Sequence, residues 1–225
     1  MYICLFTAPP PPACKAKVDL CLIIDSSGSI RDNNPADGSS DNWELQMNFL
    51  RDLVAAFTVG PDETRVGAIV FSEQVILAFS LDRYDNVEDV RSGLAAIAYM
   101  GQTTNTPEAL IQTRLQCFSA ATGDRPDVNN LAIIVTDGVP FPPTRRDPAI
   151  AEAAALRDSG VTMIAIGVTD VIDPDFLKEM SSPPQMEDQN FFTATDFSAL
   201  EGITTSVVEG TCVAVEGMCQ IYKYM

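Results

Sequence analysis

Short apolar runs rich in β-branched residues recur along the whole chain, and between most of them the apolar positions fall at helical spacing instead. The runs are VDLCLIID (18–25), TRVGAIVFS (64–72), QVILAFSL (74–81), LAIIVTDG (131–138), VTMIAIGV (161–168) and NFFTAT (190–195). Near-continuous apolar runs of this length read as strands buried on both faces, the condition of a parallel sheet covered by helices. The intervening segments supply the helices. Trp43, Met47, Leu50, Val54 and Phe57 share one helical face, and Val87, Val90, Leu94 and Ile97 share another. A third helix is predicted to begin at Thr106, with Thr106 as its cap and Pro107 at its first position, and to run to about Phe118. A fourth covers roughly 148–158 and stops at Gly160. Short helices follow at Asp173-Pro174 and after Asp196, the last turning Leu200, Ile203 and Val207 inward.

Strands separated by helices require right-handed crossovers and hence parallel pairing. One pair escapes this requirement. Only Glu73 separates the second run from the third, too little for a crossover, so these two form an antiparallel hairpin at one edge. The expected fold class is α/β: a doubly wound, mainly parallel six-stranded sheet with one antiparallel edge strand and helices on both faces. The order 3-2-1-4-5-6 is taken over from the doubly wound pattern. In it the first and fourth strands are central neighbours whose following helices pack on opposite faces. That is the switch point where such sheets bind ligands beyond the carboxyl ends of their strands.

A chain of 225 residues, 46% of them hydrophobic, suits one such domain. It is expected over residues 17–210. A Pro-rich segment (1–16) precedes it, read as a clipped signal or a linker, and a cysteine-containing tail (211–225) reads as the opening of a further module. Charges interrupt every apolar stretch well short of the ~20 residues that cross a bilayer. The net charge of −17, from 14 Lys+Arg against 31 Asp+Glu, disfavours nucleic acid and anionic lipid as partners and favours cations or basic surfaces. Histidine is absent from the sequence, which removes Ser-His-Asp chemistry and the commonest zinc ligand. The cysteines, at 4, 14, 21, 117, 212 and 219, include no C-x-x-C pair. Their even number and their placement near both ends point to disulfides and an oxidising compartment. Cys21, inside a buried strand, and Cys117, near a helix end, read by default as buried free thiols, with a bridge between them left open.

Two predicted central strands end in oxygen-bearing side chains. Asp25, Ser27 and Ser29 follow the first strand, and Asp137 follows the fourth. No lysine adjoins either motif, so the natural counterion for two carboxylates and two hydroxyls is a hard divalent cation. Oxygen ligands at ~2.1 Å in octahedral geometry suit magnesium better than zinc.

These motifs resemble the von Willebrand factor type A domain. Its metal-ion-dependent adhesion site joins D-x-S-x-S, a threonine in a loop before a helix, and an aspartate after the fourth strand. The counterparts here are Asp25-Ser26-Ser27-Gly28-Ser29, the loop GQTTNTPEAL (101–110) and Thr136-Asp137-Gly138, and the resemblance covers about residues 17–210. It implies that Ser27 and Ser29 bind the metal through their hydroxyls and that Asp25 and Asp137 act directly or through water. Thr104 is selected as the threonine by the match to TTNTPEAL, whereas counting from Gly101 would select Thr103. The implied cation is Mg2+, with Mn2+ or Ca2+ as substitutes, keeping one position open for a carboxylate from a partner protein.

The same resemblance places Phe141, Arg145 and Arg146, in the loop DGVPFPPTRRDP, beside that open position as ligand contacts. It also implies a bridge between Cys14 and Cys212 that ties the ends of the domain. The polar insertion RDNNPADGSSDN (31–42) reads as a solvated surface loop near the site. The chain is similar to the A domains of matrilins and collagen VI. By that likeness it is expected to be a secreted, extracellular adhesion or matrix module that binds a matrix protein such as collagen, with self-assembly inside a multidomain protein. No enzymatic activity is expected, because the motif offers no general base and no activated nucleophile. The alternatives are an acidic structural protein of fibrous or mineralised tissue that attracts Ca2+, and an intracellular A domain serving an ATPase of the chelatase type, against which the terminal cysteines argue.

Overall fold

Strands β1 (Val18–Asp25), β2 (Arg65–Phe71), β3 (Val75–Phe79), β4 (Asn129–Thr136), β5 (Thr162–Val168) and β6 (Phe191–Ala194) form one sheet in the computed structural model, which describes residues 17–36, 38–169 and 172–216. Their order is β3-β2-β1-β4-β5-β6. Every neighbouring pair is parallel except β2 and β3, whose short connection closes an antiparallel hairpin at the edge. The class, the strand order and the edge hairpin all agree with the reading of the sequence.

The pleat of each strand divides its side chains between two apolar layers. Leu20, Leu22 and Ile24 of β1 pack in one layer with helices α2 (Asn42–Ala55), α3 (Val87–Ala95) and α7 (Leu200–Glu216). Ile23 faces the other, which is covered by α4 (Thr106–Gln112), α5 (Arg146–Asp158) and α6 (Pro174–Met180). All eight residues of β1 are buried. At ~1.5–3 kcal/mol for each fully buried aliphatic side chain, this strand is the central stabilising element. A short helix, α1 (Gly28–Asp32), leaves β1 at once and sends Ile30 into the first layer.

Several local expectations need correction. Thr106 does not cap α4: it lies inside the first turn, and its buried hydroxyl has no partner. Asn105 is the residue that enters the helix, because its amide is drawn to the Ser72 carbonyl (2.9 Å). The helix reaches Cys117 only by widening into a π-helical turn, Thr113–Cys117. At the other end of the chain α7 continues to Glu216, so Cys212 lies within the helix and not beyond it. Cys212 is disulfide-bonded, while its expected partner, Cys14, lies outside the described residues.

Cys21 and Cys117 are not free thiols. They form a fully buried disulfide with a Cα separation of 6.3 Å, joining residues 96 apart. Room for it comes from Gly67, opposite Cys21 in the β1–β2 register, where a Cβ would meet Cys117 Sγ at 3.0 Å. The bridge staples the end of the α4 segment to the middle of β1.

The end of the sheet remote from the β1 carboxyl terminus is closed by a buried ion pair that the sequence reading did not find. Asp19 is fully buried in β1, and Arg125 meets it through Nε (2.9 Å), Nη2 (2.6 Å) and its own backbone amide (2.7 Å). The same guanidinium donates to the carbonyls of Val18, Pro61 and Glu63. Removing one partner of such a pair leaves a buried charge without compensation. Arg125→Ala should therefore lower the unfolding free energy by ~3–5 kcal/mol in urea titrations, and a loss below ~1 kcal/mol would show that solvent reaches Asp19.

Candidate metal centre

The oxygen cluster is built at the carboxyl ends of β1 and β4. β1 delivers Asp25, which is fully buried, and the chain then turns through Ser26 and Ser27 into α1, which starts at Gly28. β4 delivers Asp137, only 1% exposed. The two carboxylates are satisfied unequally. Asp25 accepts the Ser27 backbone N–H on Oδ1 (2.8 Å) and the Thr136 hydroxyl on Oδ2 (2.6 Å). Asp137 Oδ1 accepts the Ser29 hydroxyl (2.8 Å), and the Ser27 and Ser29 hydroxyls lie 3.2 Å apart. Asp137 Oδ2 is buried with no hydrogen-bond partner.

The loop that leads into α4 is strapped onto this turn. Gly101 N–H donates to the Ser26 carbonyl (2.9 Å), Gly28 N–H to the Gln102 carbonyl (2.7 Å), and Met100 N–H to Ser26 Oγ (2.8 Å). Gly101 makes the reversal at φ +73°, a conformation that side chains rarely adopt. Thr104, 7% exposed, follows in the same loop, while the Thr103 hydroxyl donates to the Glu73 carboxylate.

Burial pushes the Asp25 carboxyl above its ordinary range, with the Thr136 and Ser27 hydrogen bonds working against the shift. Burial first, and then the Asp25 charge, push the Asp137 carboxyl up to about 7, while Ser29 and the Asn33 amide pull it back. Two carboxylates in a water-poor crevice thus repel one another with one oxygen unpaired. A hard divalent cation suits such a donor set: Asp137 Oδ2 would be the free carboxylate oxygen, and the hydroxyls of Ser27, Ser29 and Thr104 would be the neutral donors. Asp25, already hydrogen-bonded on both oxygens, suits contact through water.

Other supports went unseen in the sequence. Gln46 of α2 donates to the Asp25 carbonyl (2.8 Å), and the Tyr99 hydroxyl donates to the carbonyls of Ser27 (2.9 Å) and Gly28 (3.1 Å). Tyr99 is sandwiched by Trp43 (ring centroids 5.6 Å apart) and by the Arg31 guanidinium (4.5 Å above the ring). The inserted segment is anchored too, since Arg31 pairs with Asp41, which caps α2. Of the expected ligand contacts, Phe141 is 58% exposed and its N–H donates to the Thr104 carbonyl (3.0 Å). Arg145 is engaged by Glu73, and Arg146 by Asp173 and Glu179.

A sequence profile of the von Willebrand factor type A domain matches residues 19–206. The chain belongs to this family. The collagen alpha-6(VI) chain of Homo sapiens is 32% identical over 203 residues, 89% of this chain and 8% of that one. Matrilin-1 of Gallus gallus is 31% identical over 197 residues, 87% of this chain and 36% of that one. Among solved structures, proximal thread matrix protein 1 from the mussel byssus superposes with a TM-score of 0.77 at 27% identity, covering 88% of this chain and 49% of that one. The same mussel protein with a zinc-occupied MIDAS motif gives a TM-score of 0.75 at 28% identity, covering 89% and 47%. This A domain therefore spans a minor part of its curated relatives and about half of the solved chains.

In the metal-free A domain the folded state holds the Asp137 proton more tightly than the unfolded chain does, between the ordinary value of 3.8 and about 7. The folded state thus binds more protons across that window, and stability falls as pH rises through it. In EDTA the unfolding midpoint should drop between pH 5 and pH 8, and Asp137→Asn should lessen the drop, leaving the part that belongs to the raised Asp25 carboxyl. An equal drop in the variant would assign it to other groups.

Proposed function

We propose that this A domain is a secreted adhesion module of the extracellular matrix that grips a carboxylate of a matrix protein through a divalent cation. Asp25, Ser27, Ser29, Thr104 and Asp137 would hold the ion. The observation that carries the reading is the buried, unpartnered Oδ2 of Asp137 beside a second buried carboxylate. A bound cation offsets that repulsion and offers a remaining coordination position to an oxygen from outside. Mg2+ is the preferred ion because the donors are all hard oxygens. Zinc at the corresponding motif of the mussel protein supports a divalent ion there. The chain has no histidine and its relatives are matrix proteins, which supports reading the site as a binding module and not an enzyme.

The kinship with collagen, matrilin and thread-matrix proteins supports a matrix protein, collagen among them, as partner. Phe141, exposed and hydrogen-bonded through its backbone to Thr104, stands at the rim where that partner would lie. It is the apolar contact of the interface. Arg145 and Arg146 are spent on acids of the domain itself, so the rim offers the partner an apolar surface around a cation.

Two outcomes are expected. At a concentration 100 times its dissociation constant, Mg2+ should stabilise the protein by ~2.7 kcal/mol, a gain absent from Asp137→Ala. The protein should bind immobilised fibrillar collagen in Mg2+ and lose that binding in EDTA and in Asp137→Ala, while Phe141→Ala weakens it with cation affinity unchanged. Binding indifferent to metal would overturn the adhesion reading in favour of an acidic structural role.

A further inference from the structure

Thr104 differs from the rest of the proposed ligand set in how it is held. Asp25, Ser27 and Ser29 continue directly from β1, and Asp137 from β4. Thr104 comes from a loop with no strand behind it, so its position depends on what clamps residues 103–105. The clamp centres on Glu73, in the turn between β2 and β3. The Glu73 carboxylate accepts Arg145 Nη2 on Oε1 (3.0 Å) and Arg145 Nη1 on Oε2 (3.0 Å), a two-pronged pairing that fixes direction as well as distance. It also accepts the Thr103 hydroxyl, and the Glu73 carbonyl accepts Asn105 Nδ2 (3.3 Å). Arg145 Nη1 donates in addition to the Phe141 carbonyl (2.8 Å), and the Phe141 N–H reaches the Thr104 carbonyl (3.0 Å). Thr104 is thus enclosed by a ring of contacts running from Glu73 through Thr103 on one side and through Arg145 and Phe141 on the other.

With side chains 47% and 24% exposed, the Glu73–Arg145 pair is screened by solvent and adds little to stability. Its effect is positional. We propose that Glu73 and Arg145 form a clasp that positions Thr104, and so set the cation affinity of the site without touching the ion. The proposal rests on the metal-binding reading above and deepens it.

The sign of the effect separates a clasp from simple charge. If the two side chains acted on the ion only through space, losing the Glu73 charge would weaken cation binding and losing the Arg145 charge would strengthen it. Arg145→Lys, which keeps the charge but lacks the planar fork, would then change nothing. A clasp requires all three changes to weaken binding, on the order of tenfold each, as for outer-shell partners of metal ligands.

The test is Mn2+ binding to the whole chain, followed by electron paramagnetic resonance, for Glu73→Gln, Arg145→Gln and Arg145→Lys. Each is made alone and in a Thr104→Val background, with the metal-free unfolding midpoint recorded alongside. The expected result is weaker binding in all three single variants, no further loss in the Thr104→Val background, and midpoints within ~4 °C of the parent. Tighter binding in Arg145→Gln, unchanged binding in Arg145→Lys, or an undiminished loss in the Thr104→Val background would each overturn the clasp while leaving the metal site standing. Failure of the parent chain to bind Mn2+ would instead overturn the metal reading, and the clasp with it. Should Arg145→Gln prove unstable, the charge-conserving Arg145→Lys decides.

Discussion

Asp25 and Asp137 end neighbouring buried strands, and the parallel register of β1 and β4 therefore forces two carboxylates into one crevice. Like charges at such a place are tolerated only when something opposes them. The protein spends its neutral donors first: the Ser27 amide and the Thr136 hydroxyl on Asp25, and the Ser29 hydroxyl on Asp137. Its arginines on this face are committed elsewhere. Arg31 pairs with Asp41, Arg145 with Glu73, and Arg146 with Asp173 and Glu179. Those pairings engage the three guanidinium groups with other acids. On the proposed metal-binding reading, a site arranged in this way selects against an internal cation and retains a demand for an external one.

The rest of the top of the sheet serves to hold that demand in shape. The turn after Asp25 is fixed from below by Gln46, from the side by Tyr99, and from above by the strap through Met100, Gly101 and Gln102. Backbone atoms supply most of these contacts, so the arrangement depends on the path of the chain more than on any one side chain. The α4 segment is anchored at both ends: its leading loop is tied to the β2–β3 turn, and its last turn to β1 through Cys21–Cys117. With loop order established before any ligand arrives, little binding energy is lost to ordering.

How much of this was legible in the sequence follows from the range of each interaction. The sheet was legible because strands covered on both faces are apolar through their middle, as the runs LCLII of β1, LAIIV of β4 and MIAIGV of β5 are. The edge hairpin was legible because a connection as short as that around Glu73 permits nothing else. Asp25, Ser27 and Ser29 share one turn, so local spacing brings them together. The match to TTNTPEAL selects Thr104, but that the Thr103 hydroxyl is engaged by Glu73, some 30 residues away, was not legible. Arg145 and Arg146 read as free contacts because their acids lie 72 and 27 residues distant. The Cys21–Cys117 bridge depends on where α4 crosses the sheet, which periodicity does not encode. One signal did exist: a glycine in the middle of the apolar run VGAIVF marks a close approach, and at Gly67 the approaching group is a sulfur.

A division of labour between affinity and specificity follows from this geometry. A cation held by oxygens accepts any accessible carboxylate, so the metal alone gives little discrimination among acidic partners. Discrimination must come from surfaces that a partner meets while its carboxylate is at the ion. Around this site Arg145 and Arg146 are paired with acids of the domain, and the large apolar side chains exposed just beyond Asp137 are Val139 and Phe141. A partner rich in negative charge gains nothing from such a rim and is repelled by the net charge of −17. On the proposed adhesion reading, the favoured partner presents one carboxylate within an apolar or basic surround. Because the Phe141 backbone is bonded to Thr104 on one side and to Arg145 on the other, the residue proposed to meet the partner is braced by the same contacts that hold the Thr104 loop. Movement of either would be felt by the other.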